Sequence, residues 1–458
     1  MSIPTIKTLN PFTEEIEKVF EPHTQDQIET FLSDAQRCFS TWRWETFAHR
    51  AEIVQGVAEE MRKNKQKYAE LITKEMGKPY RESLIEVDYS ANIFEYFAKN
   101  AEQFLATYPV QTEKGEAYVV SEPIGVLLGV MPWNFPFSQI ARFVAPNLMA
   151  GNTIVLKTAS NIPQCGMAYD EIFAAVQAPK GLYKNLLISG SKVGQLIDNP
   201  IIKGVSLTGS DVAGASVGEI AGRNIKRSVL ELGGSDPMIV LADADLEKVM
   251  KGTINGRLRN AGQACTSSKR IIVHRSLYDT YKEQLLTYMK NMKVGNPMEE
   301  DTLMGPVCTK GALEKLLQQI NDSRAKGVQV TLGGERMHEK GFFLAPTVLE
   351  NITKGTPAYD EEIFGPVVCL FPFDTEEEAI TLANDTIYGL GASIYSENIE
   401  YAQQLARKID SGMVYINKQV SSSEELPFGG TKRSGYGREL SKAGIEEFVN
   451  KKLIFTLR

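Results

Sequence analysis

Apolar residues recur at helical spacing from about His49 to Met76, at Ile53, Val57 and Met61 and again at Tyr68, Leu71 and Ile72. Gly77 and Pro79 supply a stop, so the spacing predicts helix up to that point. A second long helical pattern runs from about Glu82 to Leu105, and Pro109 closes it. The first hundred residues therefore read mainly as helix. A strand-rich stretch follows (AYVVSEPIGVLLGVMPW), and then the pattern alternates. Short β-rich runs at TIVLK (153–157), NLLIS (185–189), GVSLTG (204–209) and SVLEL (228–232) are separated by amphipathic segments, Pro163 to Val176 and Asp211 to Gly222 among them. Strands alternating with helices predict a parallel sheet covered on both faces. The alternation restarts at PMIVL (237–241) and continues through RIIVH (270–274), CLFPF (369–373) and ASIYS (392–396). Two successive α/β domains are expected, hinged near Gly233–Gly234. The tail Phe448 to Arg458 reads as a terminal strand that needs an edge to pair with, and in an isolated monomer that edge would be a liability.

Composition narrows the function classes. The chain has 458 residues, enough for about three domains or two large ones. Hydrophobic residues at 43% and charged residues at 23% exclude a wholly disordered chain. A net charge of −7 argues against a dedicated nucleic-acid binder. The most apolar run, Ile124 to Trp133, is about half the length of a membrane helix. The N-terminus lacks a basic start followed by an apolar core, so no secretory signal and a cytoplasmic location are expected. Five scattered cysteines (Cys38, Cys165, Cys265, Cys308, Cys369) form no CxxC, and the four histidines are far apart. Neither a disulfide framework nor a metal site is expected. What stays open is one reactive thiol among inert ones.

Cys265 lies in NAGQACTSSKR (260–270), after a small-residue turn and before a basic pair. Loop amides and nearby positive charge favour the thiolate, the reactive form. Taken alone, such a cysteine reads more readily as a buried small hydrophobe, and partners decide between the two. LELGGSD (230–236) puts Glu231 at a strand end beside two glycines, a position suited to a general base. MPWNFPF (131–137) pins Asn134 in a turn between Pro132 and Pro136. Its side-chain amide could donate to a developing oxyanion or simply satisfy its own backbone. LTGSDVAG (207–214) joins a strand to a helix whose first amides suit a phosphate, although it is neither a GxGxxG nor a Walker A motif. Lys157, ending TIVLK, sits where a dinucleotide ribose lies at the carboxyl edge of a parallel sheet; otherwise it is a solvated strand end.

PWNFP, LTGSxxxG, LELGG, the NxGQxC loop, EEIFGPV (361–367) and PFGGxKxSGxGRE (427–439) follow one another in one chain. In that order and spacing they resemble the aldehyde dehydrogenase superfamily over nearly the whole length. The resemblance implies an α/β fold with two Rossmann-like parallel-sheet domains and a small β element for oligomerisation. Residues 1–104 and 124–232 would form the dinucleotide-binding domain, 233–428 the catalytic domain, and 105–123 with 440–458 the bridging element. A homodimer or homotetramer is then expected. The resemblance also implies that the Cys265 thiolate attacks an aldehyde to give a thiohemiacetal, its oxyanion held by the Asn134 amide and the Cys265 N–H. Hydride then passes to a nicotinamide, and Glu231 activates the water that hydrolyses the thioester. By the same resemblance Glu362 and Phe364 contact the nicotinamide ribose and ring region, while Trp133, Lys157, Gly209 and Ser210 line the dinucleotide cleft.

Departures from the family pattern refine the expectation. Ser160 stands where many NAD-preferring relatives carry a Glu that repels a 2′-phosphate, and Lys157 can offer that phosphate a charge-assisted bond. NADP is therefore expected over NAD, which is kept as the lesser cofactor. Ser267 stands two residues after the nucleophile, where redox-switched relatives carry a second Cys, so no disulfide switch is expected in this loop. In succinate-semialdehyde dehydrogenases, arginines at the positions of Arg142 and Arg259 grip the distal carboxylate. A serine in the loop before PFGG assists, and in VSSSEELPFGG the matching residue is Ser422. Arginine suits that task because its planar fork binds carboxylate bidentately. Relatives acting on lactaldehyde or glycolaldehyde also carry Arg at the Arg142 position, so Arg259 discriminates better. The expected reaction is oxidation of succinate semialdehyde to succinate, with lactaldehyde, glycolaldehyde or another small aldehyde as the alternative. A CoA-acylating activity is disfavoured by the presence of Glu231.

Overall fold

The structure, a computed structural model, describes residues 5–457. An antiparallel hairpin, Ile6–Leu9 with Ile16–Phe20, precedes the helical layer. Helix Gln25–Trp42 opens on a capping box at Thr24, whose hydroxyl accepts from Gln27 N while Gln27 Oε1 accepts from Thr24 N. That closure satisfies two N–H groups with no partner inside the helix. The helix expected from about His49 to Met76 is two helices, Phe47–Lys63 and Lys65–Met76. The break falls at Asn64 (φ −110, ψ 24), whose Nδ2 donates to the backbone Glu60 O at 3.4 Å as well as to Glu60 Oε1 at 2.6 Å. A side-chain bond of this kind offers the backbone an alternative to the helical ladder. The second helix ends at Gly77 in the left-handed conformation (φ 82), and Tyr80–Phe104 follows as the long helix of this layer.

A six-stranded sheet carries the first crevice. The chain enters it at Val126–Met131 and moves outward through Thr153–Thr158 to Tyr183–Asn185. It then returns on the other side through Ile202–Thr208 and Arg227–Glu231. These five strands are parallel, and Gly435–Tyr436 pairs antiparallel at the edge. The direction of building reverses between Val126–Met131 and Ile202–Thr208, where open α/β sheets form a ligand crevice at the carboxyl ends of their strands. The run expected at 185–189 begins two residues earlier as strand, at Tyr183. Leu186 N still bonds Leu156 O at 2.6 Å, so the shift concerns where the ladder stops rather than which strands pair.

The second sheet has seven strands in the order Gln329–Leu332, Thr347–Glu350, Val367–Phe373, Ser268–His274, Asp236–Val240, Gly391–Tyr395 and Met413–Ile416. All pairs are parallel except the first. Met238, Ile239, Val240, Ile271, Ile272 and Leu370 are fully buried, as strands covered on both faces require. The tail strand Val449–Leu457 finds its edge within the chain, pairing with Gly115–Pro123 from Val449↔Pro123 to Leu457↔Gly115. Tyr108–Val110 completes that sheet on the far side. Leu453, Phe455 and Leu457 stay exposed. No helix among the described residues is long and apolar enough to cross a membrane.

Candidate active site

Two cavities meet at Cys265. The first, about 280 Å³, opens at the reversal point of the six-stranded sheet and is lined by Trp133, Asn134, Gly209, Ser210, Glu231, Glu362, Phe364 and Cys265. The second, about 260 Å³, lies on the other side of the sulfur and is lined by Tyr89, Arg142, Arg259, Ser422, Phe428 and Cys265. Gln139 borders both, and its Oε1 is buried without a hydrogen-bond partner. Cys265 is the partly exposed cysteine of the five; the others are buried.

The loop that carries the sulfur is held in an unusual backbone. Helix Leu246–Thr253 passes into a single wide turn, Ile254–Leu258, and then into three left-handed residues, Asn260 (φ 52), Ala261 (φ 51) and Gly262 (φ 70). Left-handed backbone costs a residue with a Cβ of order 1–3 kcal/mol, so its surroundings must enforce it. Asn260 supplies much of that restraint: its N–H donates to Glu82 Oε2 at 3.0 Å, and its Nδ2 to Asn134 O at 3.0 Å and Gln263 O at 3.1 Å. Gly262 cannot carry a side chain in any case, since a Cβ there would lie 2.2 Å from Gly365 O. The NAGQAC loop and the EEIFGPV segment thus pack backbone against backbone.

The Asn134 turn is fixed from beneath. Glu86, on helix Tyr80–Phe104, accepts from Phe137 N at 2.9 Å and Ser138 N at 3.2 Å and pairs with buried Lys78. Asn134 Nδ2 donates to Gln263 O at 3.1 Å, tying the turn to the cysteine loop.

Glu231 ends its strand with both carboxylate oxygens buried and unpartnered. Burial holds its carboxyl well above the ordinary carboxylate range, and the like charge of Glu439 adds to this, while Arg142 and Arg438 oppose it. Burial likewise pushes the Cys265 thiol up to about 11; Lys269 and Arg142 pull it down, and Asp236 and Glu362 push it further up. A carboxyl kept proton-hungry and a thiol that needs help to ionise are what a general base and a switchable nucleophile require.

The cleft on the sheet side suits a dinucleotide. Ser210 caps helix Asp211–Arg223, its Oγ accepting from Ala213 N at 3.2 Å, so the first amides of that helix face the carboxyl edge of the sheet. Positive charge on those amides attracts phosphate. Thr208 Oγ1 is buried on the cleft wall without a partner. Trp133 and Phe364 stand edge to face with centroids 5.8 Å apart, an apolar wall for a flat ring. Lys157 is the penultimate residue of strand Thr153–Thr158 and 8% exposed, and its ammonium forms no hydrogen bond or ion pair among the described residues. Burial depresses its pKa. An anion beside it would reverse that depression. Ser160 is exposed nearby in sequence; neither it nor Lys157 lines the two cavities.

On the other side, Arg142 is buried with Glu439, its Nη2 2.6 Å from Oε2, and its guanidinium lies 3.8 Å from the Phe428 ring. Close as it is, the ion pair does not meet hydrogen-bond geometry. Arg259 is half-exposed, 3.5 Å from Glu82 Oε2. The three residues singled out for substrate, Arg142, Arg259 and Ser422, therefore share one cavity with the sulfur. Sequence reasoning passed over Gln139, Glu439 and Lys269. Lys269 was visible only as half of a basic pair, and Glu439 only as the last letter of a motif.

A profile of the Aldehyde dehydrogenase family matches residues 2–454. A protein of Deinococcus radiodurans named succinate-semialdehyde dehydrogenase (NADP+) is 42% identical over 447 residues, covering 98% of this chain and 94% of that protein. A probable succinate-semialdehyde dehydrogenase (NADP+) of Synechocystis is 41% identical over 450 residues, covering 98% and 99%. Among solved structures, the succinic semialdehyde dehydrogenase of Streptococcus pyogenes in complex with NADP+ superposes with a TM-score of 0.97 at 42% identity, covering 99% of this chain and 100% of that one. The chain belongs to the aldehyde dehydrogenase family.

Proposed function

We propose that the protein oxidises succinate semialdehyde to succinate with NADP+, as a cytoplasmic homo-oligomer whose subunits pair through the exposed strand Val449–Leu457. The observation that carries this reading is the meeting of two cavities at Cys265, one bordered by a phosphate-attracting helix start and the other by two guanidiniums. The relatives named for this activity support it.

The Cys265 thiolate adds to the aldehyde carbon and gives a thiohemiacetal. One Asn134 N–H is committed to Gln263 O and fixes the amide; the other is free to meet the new oxyanion, together with the Cys265 N–H. A nicotinamide dinucleotide bound in the neighbouring cleft supplies the hydride acceptor that this oxidation needs. Trp133, Gly209, Ser210, Glu362 and Phe364 would hold it, with Lys157 beside the 2′-phosphate and Ser160 offering no negative charge to repel that phosphate. Glu231 then takes a proton from water as the water attacks the Cys265 thioester. Its unpartnered oxygens and low-dielectric surroundings suit it to that transfer. Arg142, Arg259 and Ser422 would grip the distal carboxylate, placing a four-carbon chain with its carbonyl at the sulfur.

An aldehyde panel assayed with NADP+ and NAD+ tests the proposal. The expected ranking puts succinate semialdehyde with NADP+ first in kcat/KM. Lactaldehyde or glycolaldehyde in first place, or NAD+ favoured tenfold or more, would overturn it.

A further inference from the structure

Lys269, the second residue of strand Ser268–His274, is 1% exposed and sits under the nucleophile loop. Its Nζ donates to Ala264 O at 2.8 Å and Cys265 O at 2.5 Å and lies 3.0 Å from Glu362 Oε1. Two of the ammonium's three donors are thus spent on the carbonyls of the nucleophile loop, and Glu362 balances its charge as an ion pair. Glu362 is itself fixed on the wall of the dinucleotide cleft, accepting from Gly234 N at 3.1 Å. It packs so closely on Gly233 that a Cβ there would come within 2.3 Å of Oε2. The same ammonium stands 5.7 Å from the centre of the Phe364 ring. One buried cation therefore touches the backbone of the catalytic cysteine and a carboxylate facing the cofactor's side.

We propose that Lys269 is a positioning residue that couples the cofactor cleft to the nucleophile, its charge balanced by Glu362 in the free enzyme and released toward the Cys265 sulfur when Glu362 turns to a ribose hydroxyl. The inference rests on the reading of Cys265 as nucleophile and Glu362 as a ribose contact. Four charged groups act on the sulfur: Lys269 and Arg142 favour its ionised form, Asp236 and Glu362 oppose it. Asp236 is buried, its carboxyl pushed up to about 7 by desolvation, and it does not border the dinucleotide cleft, so its titration shapes the pH profile of free and loaded enzyme alike. Arg142 already has its counter-ion in Glu439. Glu362 is the member of this set that borders the dinucleotide cleft, so withdrawing it from Lys269 is the change that cofactor binding can make. In the low-dielectric interior an uncompensated ammonium acts on a neighbouring thiol far more strongly than it does in water.

The test follows the thiol rather than turnover. Alkylation of Cys265 by iodoacetamide is measured across pH in the free enzyme and with saturating NADP+, for the wild type, Lys269→Met, Lys269→Arg and Glu362→Gln. NADP+ should accelerate neutral-pH alkylation of the wild type. Lys269→Met should slow it by about tenfold or more, the equivalent of one pKa unit, and abolish the response to NADP+. Lys269→Arg should restore most of both. Glu362→Gln, with its carboxylate charge removed, should bring the free enzyme close to the rate of the loaded wild type. A wild-type pH profile and NADP+ response in Lys269→Met would overturn the inference. So would an unchanged free-enzyme rate in Glu362→Gln, and this second variant decides the matter if Lys269→Met fails to fold. A wild-type Cys265 that resists iodoacetamide at every pH would instead bring down the nucleophile reading, and this inference with it.

Discussion

Arg142 and Glu439 are buried against each other, Nη2 to Oε2 2.6 Å, on the wall of the cavity that ends at Cys265. The two charges lie side by side without hydrogen-bond alignment, and Glu439 is the largest charged influence on Glu231. An arginine held by charge alone can still turn its donors to a second carboxylate. In the function proposed above, the substrate grip and the environment of the general base share this residue pair.

Truncating one member of that pair strands the other. Arg142→Ala is expected to destabilise the protein by about 3–5 kcal/mol, the usual cost of leaving a buried charge alone. The double variant Arg142→Leu/Glu439→Leu should regain much of this. Thermal unfolding midpoints of the three proteins check it, and a double variant no more stable than the single one counts against the pairing.

The pH dependence of kcat follows from Glu231. As a base it works only when ionised, and burial with Glu439 raises the pH at which ionisation occurs. Hydrolysis of the thioester should therefore climb with pH well past the ordinary carboxylate range and fall away on acidification. Glu439→Gln removes a like charge and frees Arg142, both of which lower the Glu231 pKa, so the acid limb should move to lower pH. A limb that stays put or moves upward contradicts the assignment. Glu231→Gln should cost about 10²–10⁴ in kcat while leaving the first turnover visible as a burst.

Much of this architecture was legible in the sequence because parallel strands covered on both faces read as unbroken apolar runs. Val126–Met131 and Asp236–Val240 are examples. The break at Asn64 was not, since Met61 and Tyr68 keep the helical period across it while the interruption lies in the backbone torsions of Asn64 alone (φ −110, ψ 24). The hairpin Ile6–Leu9 with Ile16–Phe20 escaped notice because its second strand is mostly exposed and carries no apolar face. At the site, motifs located Cys265, Glu231 and Asn134, but no local pattern encodes the left-handed turn at Asn260 and Ala261, which depends on Glu82 and Asn134 far away in sequence. The bridge from Lys269 to Glu362 spans two motifs and exists only once the chain is folded.

Thiol labelling should be selective. Cys38, Cys165, Cys308 and Cys369 are buried, while Cys265 opens onto two cavities. Limited alkylation of the native protein followed by peptide mass analysis should place the modification on Cys265 alone. Faster labelling at any other cysteine would contradict this geometry.

Cofactor choice should respond to one side chain. Ser160→Glu places a carboxylate near Lys157 and the expected 2′-phosphate. Losing a charge-assisted bond and gaining repulsion is worth about 1.5–3 kcal/mol, so kcat/KM with NADP+ should drop at least about tenfold. With NAD+ it should hold or rise. Equal losses with both cofactors would show that the position does not read the phosphate.

The central claim is that the sulfur of Cys265 becomes acylated by the substrate. Glu231→Gln, mixed with succinate semialdehyde and NADP+ and quenched in acid, should accumulate the thioester. Peptide mass spectrometry is then predicted to find one succinyl group on the peptide carrying Cys265 and on no other. An enzyme that reduces NADP+ in the first turnover yet leaves Cys265 unmodified, or carries the acyl group elsewhere, would contradict the account.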